Sequence, residues 1–346
     1  MHFFTQLTKL KPQDKVAIIS PSFAAPAVWP EVFQLGLSRL KEYGLQPVLY
    51  PTTAKLNSTG EERMVDIVSA FSDKEIKAVF ATLGGDDQIT YIHKLPADII
   101  KNNPKPFFGF SDNSHLANFL WLQGIPSFYG GCVFTQFAMP VKIDDFTKKF
   151  LEIAMFNTGT FELEASPKHC QYSDTNWSDL KTMEHERHFV RNGGWFWDGE
   201  TNATGYTWGG CLESIDEMLR SGVEIPTSEQ FKNIVLVIET CEELNPSYYV
   251  HRVIRALGAR GILQNIKAVL VGRPDTGIMD AGKSDEWRED YRTQQRQTIL
   301  ETVRQYNYIC PVIQNMDFGH TYPQIPLPLG SLAEINCQEK SMKIGF

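Results

Sequence analysis

Three side chains in this sequence belong to the residue types of acyl-transfer chemistry: Ser111, Glu239 and His320. Ser111 lies in Gly109-Phe110-Ser111-Asp112-Asn113, just past the apolar run Pro106-Phe107-Phe108. A serine on a sharp strand-to-helix turn exposes its hydroxyl, and the free N–H groups of the next helix favour an oxyanion beside it. The alternative is that Ser111 or Asp112 merely caps that helix. The pattern is not Gly-x-Ser-x-Gly, so an α/β-hydrolase is not implied. Glu239 follows Ile234-Val235-Leu236-Val237-Ile238. It either orients a histidine, as the acid of a triad does, or is a solvated strand end. His320 sits in Phe318-Gly319-His320-Thr321-Tyr322-Pro323, ahead of a proline-rich stretch, and is a braced candidate for a general base. His93, His115 and His251 fall inside helical patterns and read as packed or surface residues. A fourth place is Thr82-Leu83-Gly84-Gly85-Asp86-Asp87. Its paired glycines either turn N–H groups toward an anion or serve as a plain turn.

These residues need elements to hold them. Strand-like runs fall at 15–20, 46–50, 78–82 and 106–110, and helical periodicity falls between them, with Phe33, Leu37 and Leu40 stopping at Gly44. Helices are also read at 61–71, 88–94 and behind Ser111. This alternation predicts α/β architecture, with an N-terminal doubly wound, mostly parallel sheet. A helix near 144–154 and a strand near 161–165 precede a polar stretch containing Trp177, Trp195 and Trp197. So many tryptophans argue for an ordered excursion rather than a disordered linker. Helices at 212–219 and 287–306 and strands at 234–238 and 266–271 then predict a C-terminal mixed α/β domain. The expected division is 1–140, an insert at 141–204, and 205–346.

The 346 residues carry 33 Lys+Arg against 41 Asp+Glu, a formal charge of −8, which argues against a nucleic-acid-binding surface as the main function. No apolar run nears the roughly 18 residues of a membrane span, and residues 1–11 lack a signal-peptide core. A cytoplasmic protein without membrane partners is expected. Six cysteines, none in a C-x-x-C pair, read as reduced thiols, not a zinc site or disulfide framework. His185 and His188 could share a helix face but have no evident third ligand. No metal or other cofactor is expected. There is no Gly-x-Gly-x-x-Gly or Walker A sequence.

Taken in order, Gly84-Gly85, Gly109-Phe110-Ser111-Asp112, Glu239 and Gly319-His320-Thr321 resemble the LD-carboxypeptidase family of serine peptidases (peptidase family S66). The resemblance runs from Val16-Ala17-Ile18-Ile19-Ser20-Pro21-Ser22 to Leu327-Pro328-Leu329-Gly330, and Trp208-Gly209-Gly210-Cys211-Leu212 is similar to a segment opening the family's second domain. The family includes muropeptide LD-carboxypeptidases and microcin C immunity proteins. The resemblance implies a Ser111–His320–Glu239 triad at a cleft between domains. It also implies an oxyanion hole from the N–H groups of Asp112 and Gly85, substrate contacts at Gly84, Asp86 and Trp208, and a homodimer.

Two departures bear on substrate. Thr240 follows the glutamate where members often carry an acid, and Leu83-Gly84-Gly85-Asp86 stands where many muropeptide enzymes have Arg-Gly-Gly-Tyr. Together with the tryptophan-bearing insert, they favour the microcin-immunity branch, whose members cleave an amide joining an aspartate to a modified adenylate. Trp177, Trp195, Trp197 and Trp208 are candidates to stack on a purine or to pack in the core. The expected function is metal-independent serine amide hydrolysis of a peptidyl- or aminoacyl-nucleotide. The alternatives are a muropeptide LD-carboxypeptidase and a non-catalytic binder of acylated nucleotides or peptides. A nucleotide-dependent enzyme is a weaker third.

Overall fold

The alternating apolar runs of the first third become parallel strands with helices on both faces. In the computed structural model, which describes residues 4–173, 175–277 and 282–346, they are β1 (Lys15–Ile19), β2 (Gln46–Leu49), β3 (Ile76–Ala81) and β4 (Phe107–Gly109), joined by a fifth strand that the pattern does not announce, β5 (Ser127–Tyr129). Side chains alternate across a strand. Val16, Ile18, Ala78 and Phe80 therefore pack with Phe33, Leu37 and Leu40 of the helix Pro30–Glu42. Ala17, Ile19, Val79 and Ala81 face the other way, with Ile67 and Phe71 of Gly60–Ser72 and Leu116 and Leu120 of Ser114–Leu122. This is the doubly wound arrangement.

The chain continues through β6 (Thr160–Leu163), β7 (Lys168–Tyr172), β8 (His188–Arg191), β9 (Phe196–Asp198), β10 (Ala203–Cys211), β11 (Ile234–Glu239), β12 (Ala268–Gly272), β13 (Val312–Met316), β14 (Leu327–Leu329), β15 (Leu332–Asn336) and β16 (Ser341–Gly345). The second sheet runs β6-β16-β15-β10-β11-β12-β13-β9. Its centre, β10 to β13, is parallel, and its flanks are antiparallel, so it is mixed as expected. The excursion at 141–204 is ordered among its described residues: β6 and β9 edge the second sheet, while β7 and β8 pair with each other. The residues 88–94 form two short 3-10 turns instead of one helix. β14, from the C-terminal third, returns to pair antiparallel with β5, completing the first sheet as β14-β5-β4-β3-β1-β2.

The two sheets meet along β10 and the helix Ser114–Leu122. Gly210 lets them approach, since a Cβ there would collide with Ser114. Across this seam the Ser114 hydroxyl accepts from Cys211 N–H (2.9 Å), Asn118 donates to the Gly209 carbonyl (2.9 Å), and Trp121 donates to the Thr207 carbonyl (2.9 Å). Among the described residues no helix is long and apolar enough to cross a membrane.

Candidate active site

β4 ends at Gly109, and the chain turns through Phe110 into a 3-10 turn, Ser111–Asn113, that leads directly into Ser114–Leu122. Ser111 adopts φ +65°, a left-handed conformation that a side chain enters at a cost of about 1–3 kcal/mol. Neighbours hold the strain. Ser111 N–H donates to the Tyr129 hydroxyl at 3.2 Å, and Asn113 is tied to the carbonyls of Leu83 and Phe110. Gly84 lies so close that a Cβ there would sit 2.8 Å from Ser111 Cβ, 2.9 Å from its Oγ and 3.5 Å from Asp112 N. Gly84, the serine hydroxyl and the following amide thus share one small volume, while Gly85 (φ +149°) turns against Ser22 and Phe23.

Glu239 ends β11 and is 1% exposed. Such burial would normally push a carboxyl pKa up. Its partners reverse the effect. Nδ1 of His320 lies 2.8 Å from Oε2, His320 N–H donates to Oε2 at 3.0 Å, and the Tyr129 hydroxyl donates to Oε1 at 2.5 Å. Against the burial penalty, the histidine charge and these hydrogen bonds hold Glu239 below the usual range. Two glycines make room: a Cβ at Gly272 would fall 2.6 Å from Glu239 Cβ, and one at Gly319 (φ +92°) would overlap the carboxylate.

His320 is raised to about 10: burial opposes its charge, but Glu239 and then Glu242 outweigh that. Its ring packs edge-on against Phe110 (centroids 5.0 Å apart), and its Nε2 faces Glu242 Oε2 at 3.3 Å. Ser111 and His320 line the same cleft, of about 690 Å³, together with Gly84 and Gly85. The Glu–His half of the constellation is assembled. Among the described residues, His320 makes no hydrogen bond to Ser111, its Nε2 being turned to Glu242.

The other sequence candidates divide. Asp112 is buried, and its carboxylate accepts from Ser22 (2.6 Å) and the Gln88 N–H (3.2 Å), which leaves only its backbone for an oxyanion. Asp86 is exposed and is not among the residues lining the cleft. Trp208 is 0% exposed and packs edge-on against Phe231, so it does not reach the cleft; its side chain belongs to the core under β10. Trp195 donates to Asp317 and packs beside Trp197, also away from the cleft. Trp177 does line it, in an aromatic wall with Trp29 (centroids 5.1 Å apart) and Phe23.

Tyr129, Glu242 and Arg187 are the site residues that sequence reasoning missed. Tyr129 ends a three-residue strand too short to show periodicity, while Glu242 is one of two adjacent acids with nothing local to single it out. Arg187 lies in a run of exposed charged residues where nothing local marks it as buried.

His115 is also buried, with Nε2 3.1 Å from Glu217 and 3.7 Å from Asp112, and Nδ1 3.3 Å from Glu224. Burial opposes its charge, yet these carboxylates raise it to about 9. It joins the helix after Ser111 to the second domain.

Among the described residues, Cys211–Glu239–His320, Cys211–Glu213–Cys241 and Asp112–His115–Glu217 bring potential metal-ligand atoms within 4.8 Å of one another. The six cysteines are buried. His185 lies in an exposed loop and His188 begins β8, so the pair is not on a helix.

Comparison with known proteins matches residues 16–130 to the LD-carboxypeptidase N-terminal domain and 204–335 to the LD-carboxypeptidase C-terminal domain. A Treponema pallidum (strain Nichols) protein named as a carboxypeptidase is 27% identical over 97% of this chain and 93% of its own. The microcin C7 self-immunity protein MccF of Escherichia coli is 23% identical over 96% and 93%. A protein of Bacillus subtilis (strain 168) named as a murein peptide carboxypeptidase is 25% identical over 96% and 91%. Among solved structures, an MccF-like protein from Streptococcus pneumoniae in complex with AMP shares the fold at TM-score 0.85, with 22% identity over 96% and 98% of the two chains. MccF in complex with aspartyl sulfamoyl adenosine does so at 0.83, with 22% identity over 98% of each.

Proposed function

The chain belongs to the LD-carboxypeptidase family of serine-type hydrolases, and from that premise we propose that it cleaves an amide bond in a peptidyl- or aminoacyl-nucleotide through a Ser111–His320–Glu239 triad. The observation that carries this reading is the meeting of Ser111, on its strained turn, with the Glu239-bound His320 on one cleft. Ser111 Oγ attacks the amide carbonyl as His320 takes its proton, giving a tetrahedral intermediate whose collapse breaks the C–N bond and leaves an acyl-enzyme. His320 returns that proton to the leaving nitrogen. Water activated by the same base then releases the acid. Glu239 fixes the ring orientation and stabilises the imidazolium. The Asp112 N–H, with that of Gly85 as a second donor, receives the developing oxyanion; one such donor is worth about 10²–10³ in rate. For Nε2 to accept the proton, Glu242 must yield its place.

The aromatic wall of Phe23, Trp29 and Trp177 supports a nucleobase as the recognised group. The MccF relatives, with aspartyl sulfamoyl adenosine and AMP in solved complexes, point the same way. The murein peptide carboxypeptidase of Bacillus subtilis supports a second reading, cleavage of an L,D-linked cell-wall peptide.

The test is hydrolysis followed by mass spectrometry, with wild type and Ser111→Ala each given aspartyl sulfamoyl adenosine and an L,D-linked tetrapeptide. Serine-dependent cleavage of the nucleoside compound alone is the expected result. Cleavage of the peptide alone replaces it with the second reading. Cleavage of neither, with no covalent labelling of Ser111 by a fluorophosphonate, overturns the hydrolase assignment in favour of a binding protein.

A further inference from the structure

Arg187 is 8% exposed and lines the cleft that holds Ser111 and His320. Its guanidinium sits over the Tyr322 ring, Cζ 3.8 Å from the centroid. Its Nε and Nη1 are buried with no hydrogen-bond partner, and among the described residues it makes no ion pair. A buried guanidinium left this way is costly: water has been removed from its donors and nothing has replaced it. The aromatic face of Tyr322 answers only part of that loss. Apart from His320, Arg187 is the sole cationic side chain among the described residues that line this cleft. Glu242 and Asp275 border the same space, and neither is paired with it. Arg187 also lines a second cavity, of about 260 Å³, where Asp144, Asp145 and Glu186 stand against Lys142, Lys168 and Arg187 itself, so the charges there already balance.

We infer that Arg187 anchors an anionic group of the substrate, a carboxylate or a phosphoryl group, inside the cleft beside His320. This rests on the cleft being the substrate site. Guanidinium suits the task because its planar donors match either oxyanion, and Tyr322 holds the plane in place. Both proposed substrate types carry such a group: the phosphoryl link of a nucleotide or the free C-terminal carboxylate of a peptide. The aromatic wall of Trp29 and Trp177 lines the same cleft, so one ligand could place an apolar ring there and a charge at Arg187.

The experiment is calorimetric titration in the Ser111→Ala protein, which separates binding from turnover. AMP is compared with adenosine, and an L,D-linked tetrapeptide with its C-terminal amide, each with and without Arg187→Met or Arg187→Lys. In at least one pair the anionic ligand is expected to bind roughly 10- to 100-fold more tightly than its neutral counterpart. Arg187→Met erases that ratio while leaving the neutral ligand's affinity in place, and Arg187→Lys restores part of it. The pair that shows the effect identifies phosphoryl or carboxylate. An unchanged ratio in Arg187→Met, or the lack of any ratio in both pairs, overturns the inference, as does absence of binding. Thermal unfolding without ligand provides the control for folding: Arg187→Met should melt no lower than its parent, because no ion pair or hydrogen bond is lost. A drop of about 5 °C or more would assign Arg187 to the scaffold and overturn the inference. An Arg187-dependent ratio with no hydrolysis of either substrate would keep this inference and sink the proposed reaction; hydrolysis indifferent to Arg187 would do the reverse.

Discussion

Glu242 stands 3.3 Å from Nε2 of His320, on the nitrogen to which the proposed mechanism gives the serine proton, while Glu239 holds the opposite nitrogen. Both carboxylates favour the imidazolium, and His320 is raised to about 10 after burial has pulled the other way. A general base must be neutral, so the catalytically ready fraction grows as pH rises toward that value.

Glu242→Gln removes one of the two negative charges and frees Nε2. The acidic limb of the kcat/KM profile should move to lower pH in this variant, with activity at pH 7 rising relative to wild type. Profiles measured from pH 5 to 10 check this, and superimposable limbs would show that Glu242 does not govern the base.

Ser111 separates chemistry from strain. Ser111→Ala and Ser111→Gly should both lose at least about 10³ in kcat, since the nucleophile is gone. Only Ser111→Gly relieves the left-handed backbone, and it should gain up to about 1 kcal/mol in unfolding free energy over Ser111→Ala. Urea denaturation of the pair decides it; equal stabilities would mean that the turn is not strained.

Gly84→Ala places a methyl 2.8–2.9 Å from the Ser111 side chain. The expected outcome is a fall of about 10² or more in kcat from displacement of Oγ, with the fold retained. Full turnover in a folded Gly84→Ala protein would place the reacting geometry elsewhere.

His115 links pH to the domain seam. Its folded value, about 9, stands above the ordinary 6.5, so its contribution to stability is fully present below pH 6.5 and is lost as pH rises through 9. The upper bound is about 3 kcal/mol over that window. His115→Gln should be less stable than wild type at pH 6 and should show a shallower decline between pH 6.5 and 9. The same sign applies to His320, whose contribution runs on through about 10 in both proteins. Parallel declines in denaturation measured at stepped pH would remove His115 from the account.

The parts of this site that the sequence made legible are those that punctuate strong local patterns. Glu239 closes a five-residue apolar run, Ser111 breaks a run of phenylalanines, and His320 follows a glycine. Each position is marked by a change of residue type that any buried strand end produces. β10 was not legible, because its Tyr206-Thr207-Trp208-Gly209-Gly210 lacks alternation, and its Gly210 answers to a helix from another part of the chain. Trp208 looked available for the same reason: burial under β10 depends on Phe231, which no local pattern ties to it. Arg187 and Glu242 are ordinary charged residues in sequence. Only the approach of Tyr322 to the first and His320 to the second gives them meaning.

The return of β14 to the first sheet sets a schedule for the chain's birth. β5 waits for Leu327–Leu329 to pair with it, and those residues leave the ribosome only after the whole second sheet's parallel core has been made. The first domain therefore cannot finish folding ahead of the second, although domains commonly fold in order as they emerge. Ser111 and His320 come to line one cleft only in the closing moments of synthesis, so a prematurely terminated product would carry the proposed nucleophile without the proposed base.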